Sequence, residues 1–243
     1  MLKPLKRRTE NNKFLFTIIA FRNEIDGSGS ICKKRLKSYL SSLSDLVDST
    51  YPVIAAFHSQ YPKADERLFW RCFERYYKKR PKDLISLQVK SKPEIITNGK
   101  GACELYVLAQ IKKYLDWSEN DLLIKITGRY RILNLGVLLK RIAKSNEDIR
   151  FFSHPRTGIC DTGLFAIKIH GIDKFLAAAG EVNDASGDIL EKYATAYILR
   201  NSVNTLRGWP VILIYPFKFR YGLRHFCTEL AYSFYSELRQ CFR

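Results

Sequence analysis

The chain has 243 residues, 46% of them hydrophobic, and a formal net charge of +17. This composition excludes a disordered tail, and the length gives one large domain or two small ones room for a real core. The charge points to an anionic partner (nucleic acid, an acidic membrane surface or phosphorylated small molecules) without choosing among them.

The first element is "FLFTIIA", residues 14–20, a continuous apolar run that predicts a strand buried on both faces. A Gly/Ser loop follows. "ICKKRLKSYLSSLSDLV" then places Ile31, Leu36, Tyr39, Leu40, Leu43, Leu46 and Val47 at helical spacing. "YPVIAAF" predicts a second buried strand, "ADERLFWRCFERYYKKR" a helix with a basic end, and "LISLQV" a third strand. The order repeats: "GACELYVLAQIKKYL" reads as a helix, "LLIKI" as a strand, "NLGVLLKRIA" as a helix, and "IRFFSH" and "GLFAIKI" as strands. Such alternation predicts an α/β domain on a mostly parallel, Rossmann-like sheet with helices on both faces. A helix-rich stretch from Asp173 to Asn201 leads to "WPVILIYPF" and an amphipathic C-terminal helix. With no repeat and no long linker, residues 1–243 read as a single domain, with a core over about 14–200 and a C-terminal extension over 201–243.

The six cysteines form no C-x-x-C pair and stand at no zinc-finger spacing from a histidine, so reduced, mostly buried thiols are expected. The basic start, Lys3 to Arg8, runs into polar residues and does not read as a secretory signal. No run reaches the ~18 apolar residues that span a bilayer. These features predict a cytoplasmic protein.

In open α/β sheets, ligands bind at the carboxyl ends of the strands. The candidates are therefore Phe21-Arg22-Asn23, His58-Ser59-Gln60, Thr127-Gly128-Arg129-Tyr130, His154-Pro155-Arg156 and the loop around Asp161. Several are cationic or hydrogen-bonding, which suits a phosphate-bearing ligand. "NGKGACE" adds two glycines around Lys100 just before a helix, where backbone N–H groups can meet a phosphate; the alternative is a solvated lysine at a helix entry. It lacks the G-x-x-x-x-G-K-[ST] pattern of a Walker A loop. His154 and His225 stand alone, without a Ser-His-Asp or two-histidine metal pattern.

"KITGRY", Lys125 to Tyr130, resembles a strand end found in bacterial glycosyltransferases of lipopolysaccharide and other surface-polysaccharide assembly, where it follows a helix beginning near a "GKG…E" segment. Here that segment is Gly99, Lys100, Gly101 and Glu104. "CDTGLFAIK", residues 160–168, is similar to the family's next strand, and "SGDILEKYATAYI", residues 186–198, to its acidic helix start. The resemblance covers roughly residues 14–200 in order of elements. It implies a GT-A-like transferase that moves a sugar from a nucleotide-sugar donor to a glycan or lipid-linked acceptor.

A common GT-A enzyme carries a D-x-D at the end of its fourth strand to hold a divalent metal against the donor diphosphate. This sequence has Thr-Gly-Arg-Tyr there and no D-x-D anywhere. The leaving phosphate still develops charge that needs stabilising. The reading is therefore metal-independent: no cofactor, with Arg129, Arg131, Lys125 or Arg156 supplying the positive charge. Donor contacts are assigned to Arg22, Lys100, Lys125, Thr127, Gly128, Arg129, Tyr130 and Arg156. The alternative for Arg129 is a structural pair that locks the turn. An inverting transfer needs a general base, which in GT-A enzymes usually lies at a helix start after the last core strands. Glu191 is the first choice, Asp188 the second and Asp161 a further candidate, with Ser186 as a helix cap; a first-turn carboxylate is also ordinary dipole compensation.

Leu230, Ala231, Phe234, Tyr235, Leu238 and Phe242 recur at helical spacing among basic residues. They suit a helix lying on an anionic leaflet or packing on the core, and Lys3, Lys6, Arg7 and Arg8 would add to a peripheral inner-membrane surface. Two rivals stand beside the transferase. One is a basic nucleic-acid-binding protein, which would lack any helix-turn-helix, zinc-finger or RNP signature. The other is a nucleotidyltransferase, which would need paired carboxylates at a strand end.

Overall fold

The computed structural model describes residues 15–22, 33–47, 52–59, 61–77, 84–90, 92–114, 118–119, 121–128, 130–132, 135–153, 160–178, 182–187, 189–201 and 212–214. The strands are β1 (Leu15–Arg22), β2 (Val53–Ser59), β3 (Leu84–Lys90), β4 (Leu122–Thr127), β5 (Tyr130–Ile132), β6 (Ile149–Ser153), β7 (Cys160–Lys168) and β8 (Ile212–Ile214). The helices are α1 (Lys33–Val47), α2 (Pro62–Tyr77), α3 (Pro93–Thr97), α4 (Lys100–Tyr114), α5 (Leu135–Lys144), α6 (Gly171–Ala178) and α7 (Leu190–Asn201).

Six strands form one sheet in the order β3-β2-β1-β4-β7-β6. β3, β2, β1 and β4 run parallel, β7 is antiparallel to β4, and β6 is antiparallel to β7 and so points the same way as β4. The expectation of a mostly parallel sheet with alternating helices therefore holds. The apolar runs of β2 and β4 are continuous because both faces are covered. Leu122, Ile124 and Ile126 of β4 face a core built with α1, α2 and α5. Leu123 faces the opposite core, built with α4, α6 and α7. The alternation of side chains along a strand makes this division and puts Lys125 on the α4 side.

Aromatic packing anchors both layers. Phe57, Phe69, Trp70 and Phe73 meet edge-on or offset with centroids 4.9–6.2 Å apart, pinning α2 to β2. On the other face Phe151, Phe165 and Phe175 form a triangle with centroids 5.2–5.7 Å apart. Each such ring contributes about 1.5–3 kcal/mol of burial and about 0.5–1.5 kcal/mol more per aromatic pair.

The structure departs from the sequence reading in the segment after β4. The strand stops at Thr127, and Tyr130–Ile132 leaves the main sheet to pair antiparallel with Ile212–Ile214. The C-terminal extension thus returns to clamp the segment that follows the strand tip. β7 starts at Cys160, earlier than its apolar run suggested, so Asp161 belongs to a strand opposite Phe152 and not to a loop. Polar letters concealed this strand start: Cys160, Asp161 and Thr162 interrupt the hydrophobic signal, while Cys160 and Asp161 stand opposite Ser153 and Phe152 of β6. Register between β6 and β7 jumps from Phe151↔Phe165 to Phe152↔Asp161, a bulge in β7. Among the described residues no helix is long and apolar enough to cross a membrane. The C-terminal amphipathic segment, the basic N-terminus, His154 and His225 lie outside the described residues.

Candidate active site

β4 is buried along its whole length, and Lys125 is its one charged residue. A buried ammonium needs a carboxylate and hydrogen-bond acceptors, because its desolvation costs several kcal/mol. Lys125 has both. Its Nζ lies 2.6 Å from Glu104 Oε2 on α4 and donates at 2.6 Å to the carbonyl oxygen of Thr162 in the β7 bulge. The bulge frees that carbonyl from the strand ladder. Lys100 Nζ approaches the other oxygen of Glu104 at 3.2 Å, one helical turn away. Burial on its own would push the Glu104 carboxyl up, but the two lysines outweigh it and hold the group below its ordinary range.

The chain of polar contacts continues from the same bulge. Thr162 Oγ1 donates to Glu191 Oε1 at 2.6 Å. Glu191 stands in the first turn of α7, and that turn is fixed to β7 by Thr195, whose hydroxyl donates to Glu191 O and accepts from Cys160 N–H at 3.2 Å. Lys100, Glu104, Lys125, Thr162 and Glu191 thus form one network across α4, β4, β7 and α7. Thr162 lies at the start of β7, beside the carboxyl end of β4, since Ile126 pairs with Leu164 and β7 runs antiparallel. The network therefore sits at the carboxyl end of the parallel strands, the end at which open α/β sheets in general bind ligands, next to the switch point where β1 lies between β2 and β4.

The glycines around Lys100 have a different occupant from the one expected. Gly99 adopts φ 95°, and a Cβ there would lie 2.5 Å from Asp184 Cβ. Gly101 N–H donates to Asp184 Oδ2 at 2.9 Å, and Asp184 N–H donates to Asn98 O at 2.8 Å. The start of α4 is thus closed by a carboxylate of the protein itself, which satisfies a terminal N–H and complements the helix dipole. Lys100 is turned to Glu104.

The other candidates are distributed as follows. Thr127 and Gly128 are buried at the end of β4. Tyr130 packs on β7: a Cβ on Gly163 would fall 2.5 Å from its ring, so the glycine makes room for the tyrosine. Arg22 ends β1 with its backbone paired to His58, a buried residue whose ring stands 5.9 Å from that of Tyr106. The side chains of Arg22 and Asp161, and all of Arg129, Arg156 and Asp188, lie outside the described residues. Ser186 does not cap α7: the helix begins at Leu190, and Ser186 closes a short 3-10 turn, Asp184–Ser186, by donating to Asn183 O. Sequence reasoning did not single out Thr162 or the capping role of Asp184. The i,i+4 spacing of Lys100 and Glu104 was a local signal for one link of the network.

Among the described residues no group of three or more histidine, cysteine or acidic side chains is placed to hold a metal ion. No protein-family model matches the chain, and no curated protein matches it.

Proposed function

We propose that the protein is a GT-A-like glycosyltransferase that moves a sugar from a nucleotide-sugar donor to a glycan or lipid-linked acceptor of a bacterial cell surface. One observation carries the reading. The segments that resemble such enzymes, around Lys100–Glu104, Lys125–Tyr130, Cys160–Lys168 and Ser186–Ile198, are distant in sequence, yet a single run of contacts from Lys100 to Glu191 joins all four. The parallel order β3-β2-β1-β4, with its switch point beside that run, supports a nucleotide site at the carboxyl ends of β1 and β4.

In this reading Glu191 is the general base. Thr162 engages Oε1, and Oε2 is left to take the proton of an acceptor hydroxyl as its oxygen attacks the anomeric carbon and the nucleotide diphosphate departs. Lys125 acts beneath the site: paired with Glu104, it holds the β7 bulge through the Thr162 carbonyl. Charge on the leaving diphosphate falls to Arg129, with Arg22 and Arg156, in a metal-independent transfer.

A thermal-shift series with UDP, GDP, CMP and dTDP, each with EDTA or Mn²⁺, tests this on the wild type, Arg129→Ala and Glu191→Gln. The expected result is stabilisation by one nucleotide in EDTA, lost in Arg129→Ala and kept in Glu191→Gln. At a hundred times its Kd a nucleotide stabilises by about 2.7 kcal/mol. A shift that requires Mn²⁺ would overturn the metal-free step. No shift with any nucleotide, joined to stabilisation by oligonucleotides, would overturn the transferase.

A further inference from the structure

Helix α2 carries Lys63, Arg67, Arg71 and Arg75, four exposed cations at a strict spacing of four residues. With a rise of about 1.5 Å per residue they form a slanted ridge about 18 Å long. The other side of the helix is clamped to the sheet by Phe69, Trp70 and Phe73, so the ridge has a fixed outward aspect. Among the described residues none of the four cations pairs with a carboxylate. Asp65 and Glu66 are half-buried, and Glu66 is bonded to Gln88 of β3; Glu74 is the exposed carboxylate of the helix.

A second feature lies at the head of this ridge. Lys63 and Arg67 line a cavity of about 330 Å³ together with Glu66, Trp70 and Gln88. An ammonium and a guanidinium one turn apart can hold one phosphate group from two sides, the guanidinium with two parallel hydrogen bonds. Arg71 and Arg75 continue the row beyond the cavity.

The geometry points to α2 as the face by which this protein docks on an anionic bilayer surface, with a headgroup phosphate between Lys63 and Arg67 and neighbouring headgroups on Arg71 and Arg75. The shape of the ridge favours a bilayer over single-stranded nucleic acid. Single-stranded nucleic acid is bound in grooves lined with aromatic stacking platforms, whereas this is a convex row with Ala64 and Glu74 among its cations. The row turns through about 120° around the helix from Lys63 to Arg75, a spread that long Lys and Arg side chains can bring to one lipid surface. Tyr61, 67% exposed at the start of the helix, is of the aromatic type that settles at headgroup level. The inference is independent of the transferase reading, since vesicle binding is measured without donor or acceptor.

The test is sedimentation of the full chain with vesicles of phosphatidylcholine alone or with 30% phosphatidylglycerol, in about 0.1 M salt. The wild type is compared with Arg67→Ala/Arg71→Ala/Arg75→Ala and with Lys113→Ala/Lys140→Ala/Lys174→Ala, which removes equal charge from exposed positions of α4, α5 and α6. Matching melting temperatures check folding, and Arg71→Glu alone is a second variant. The expected result is binding to the anionic vesicles only, falling roughly a hundredfold in the arginine triple, the equivalent of about 1 kcal/mol per residue, and much less in the lysine triple. Equal losses in both triples, unchanged binding in the arginine variants, equal binding to neutral vesicles, or binding to a single-stranded oligonucleotide in place of vesicles would each overturn it.

Discussion

Glu104 Oε2 and Lys125 Nζ stand 2.6 Å apart between α4 and β4, with side chains 11% and 5% exposed. Removing one partner strands a buried charge, so Glu104→Gln and Lys125→Met are each expected to destabilise the fold by about 3–5 kcal/mol. The double variant Glu104→Gln/Lys125→Met should cost clearly less than the sum of the single changes, since neither charge is then left alone. Urea unfolding of the four proteins measures the coupling, and additive losses would show that the pair is not energetically linked.

The same pair predicts a pH dependence. The Glu104 carboxyl is held below its ordinary value of 4.5 in the folded protein: burial raises it, and Lys125 and Lys100 together lower it further than burial lifts it. A depressed carboxylate contributes stability that is fully present above the unfolded value and is lost as pH falls through the folded one. Stability should therefore fall below about pH 4.5, more steeply in the wild type than in Glu104→Gln. Denaturant midpoints from pH 7 to pH 3 give both curves, and parallel curves would remove Glu104 from the account.

Gly163 should not accept a side chain while Tyr130 keeps its place. A Cβ at Gly163 would meet the tyrosine ring at 2.5 Å, so Gly163→Ala is expected to cost about 1–3 kcal/mol through overpacking. Tyr130→Ala in the same chain removes the clash, and the double variant should be less destabilised than the two single changes added together. Melting temperatures of the set decide the point.

Asp184 caps α4 from a 3-10 turn far along the chain. Asp184→Ala leaves the Gly101 N–H without its acceptor and should cost about 1 kcal/mol, whereas Asp184→Asn should retain most of the stability. Gly99→Ala should cost more than Asp184→Ala, because it combines φ 95° with a Cβ 2.5 Å from Asp184 Cβ. Hydrogen exchange at the first turn of α4 tests the local effect; unchanged protection in Asp184→Ala would show that the cap is not energetically used.

If Glu191 is the base, Thr162 is its positioning residue. Thr162→Val removes the hydroxyl that donates at 2.6 Å and should lower kcat at least tenfold with little change in KM, while Thr162→Ser should retain activity. Equal falls in both variants, matched by equal losses of stability, would reduce Thr162 to a packing role.

The succession of elements was legible because apolar periodicity survives in single segments. "FLFTIIA", "YPVIAAF" and "LLIKI" are too uniformly apolar for a half-exposed strand; each became a strand, the first lying between the other two, and β2 and β4 are buried along their length. Periodicity did not reveal the start of β7, since Cys160-Asp161-Thr162 carries no apolar alternation; only the resemblance over residues 160–168 marked it as strand, and Cys160 and Asp161 are held there opposite β6. Of the candidate residues, Lys100, Lys125 and Glu191 meet in one network of contacts. Their partners were not legible, because side chains 21 or more residues apart meet only through the order of strands.

Periodicity and charge in the sequence thus determined an α/β chain with helices alternating with buried strands and a strongly cationic surface, since each of these follows from residues close to one another. Tertiary structure decided what the charges do. The antiparallel insertion of β7 beside β4 and the bulge at its start bring the Thr162 carbonyl to Lys125. The packing of α4 below the sheet gives the same ammonium Glu104 as its counter-ion. A buried charge is tolerable only where such partners already stand, and the folded arrangement of distant segments supplies them.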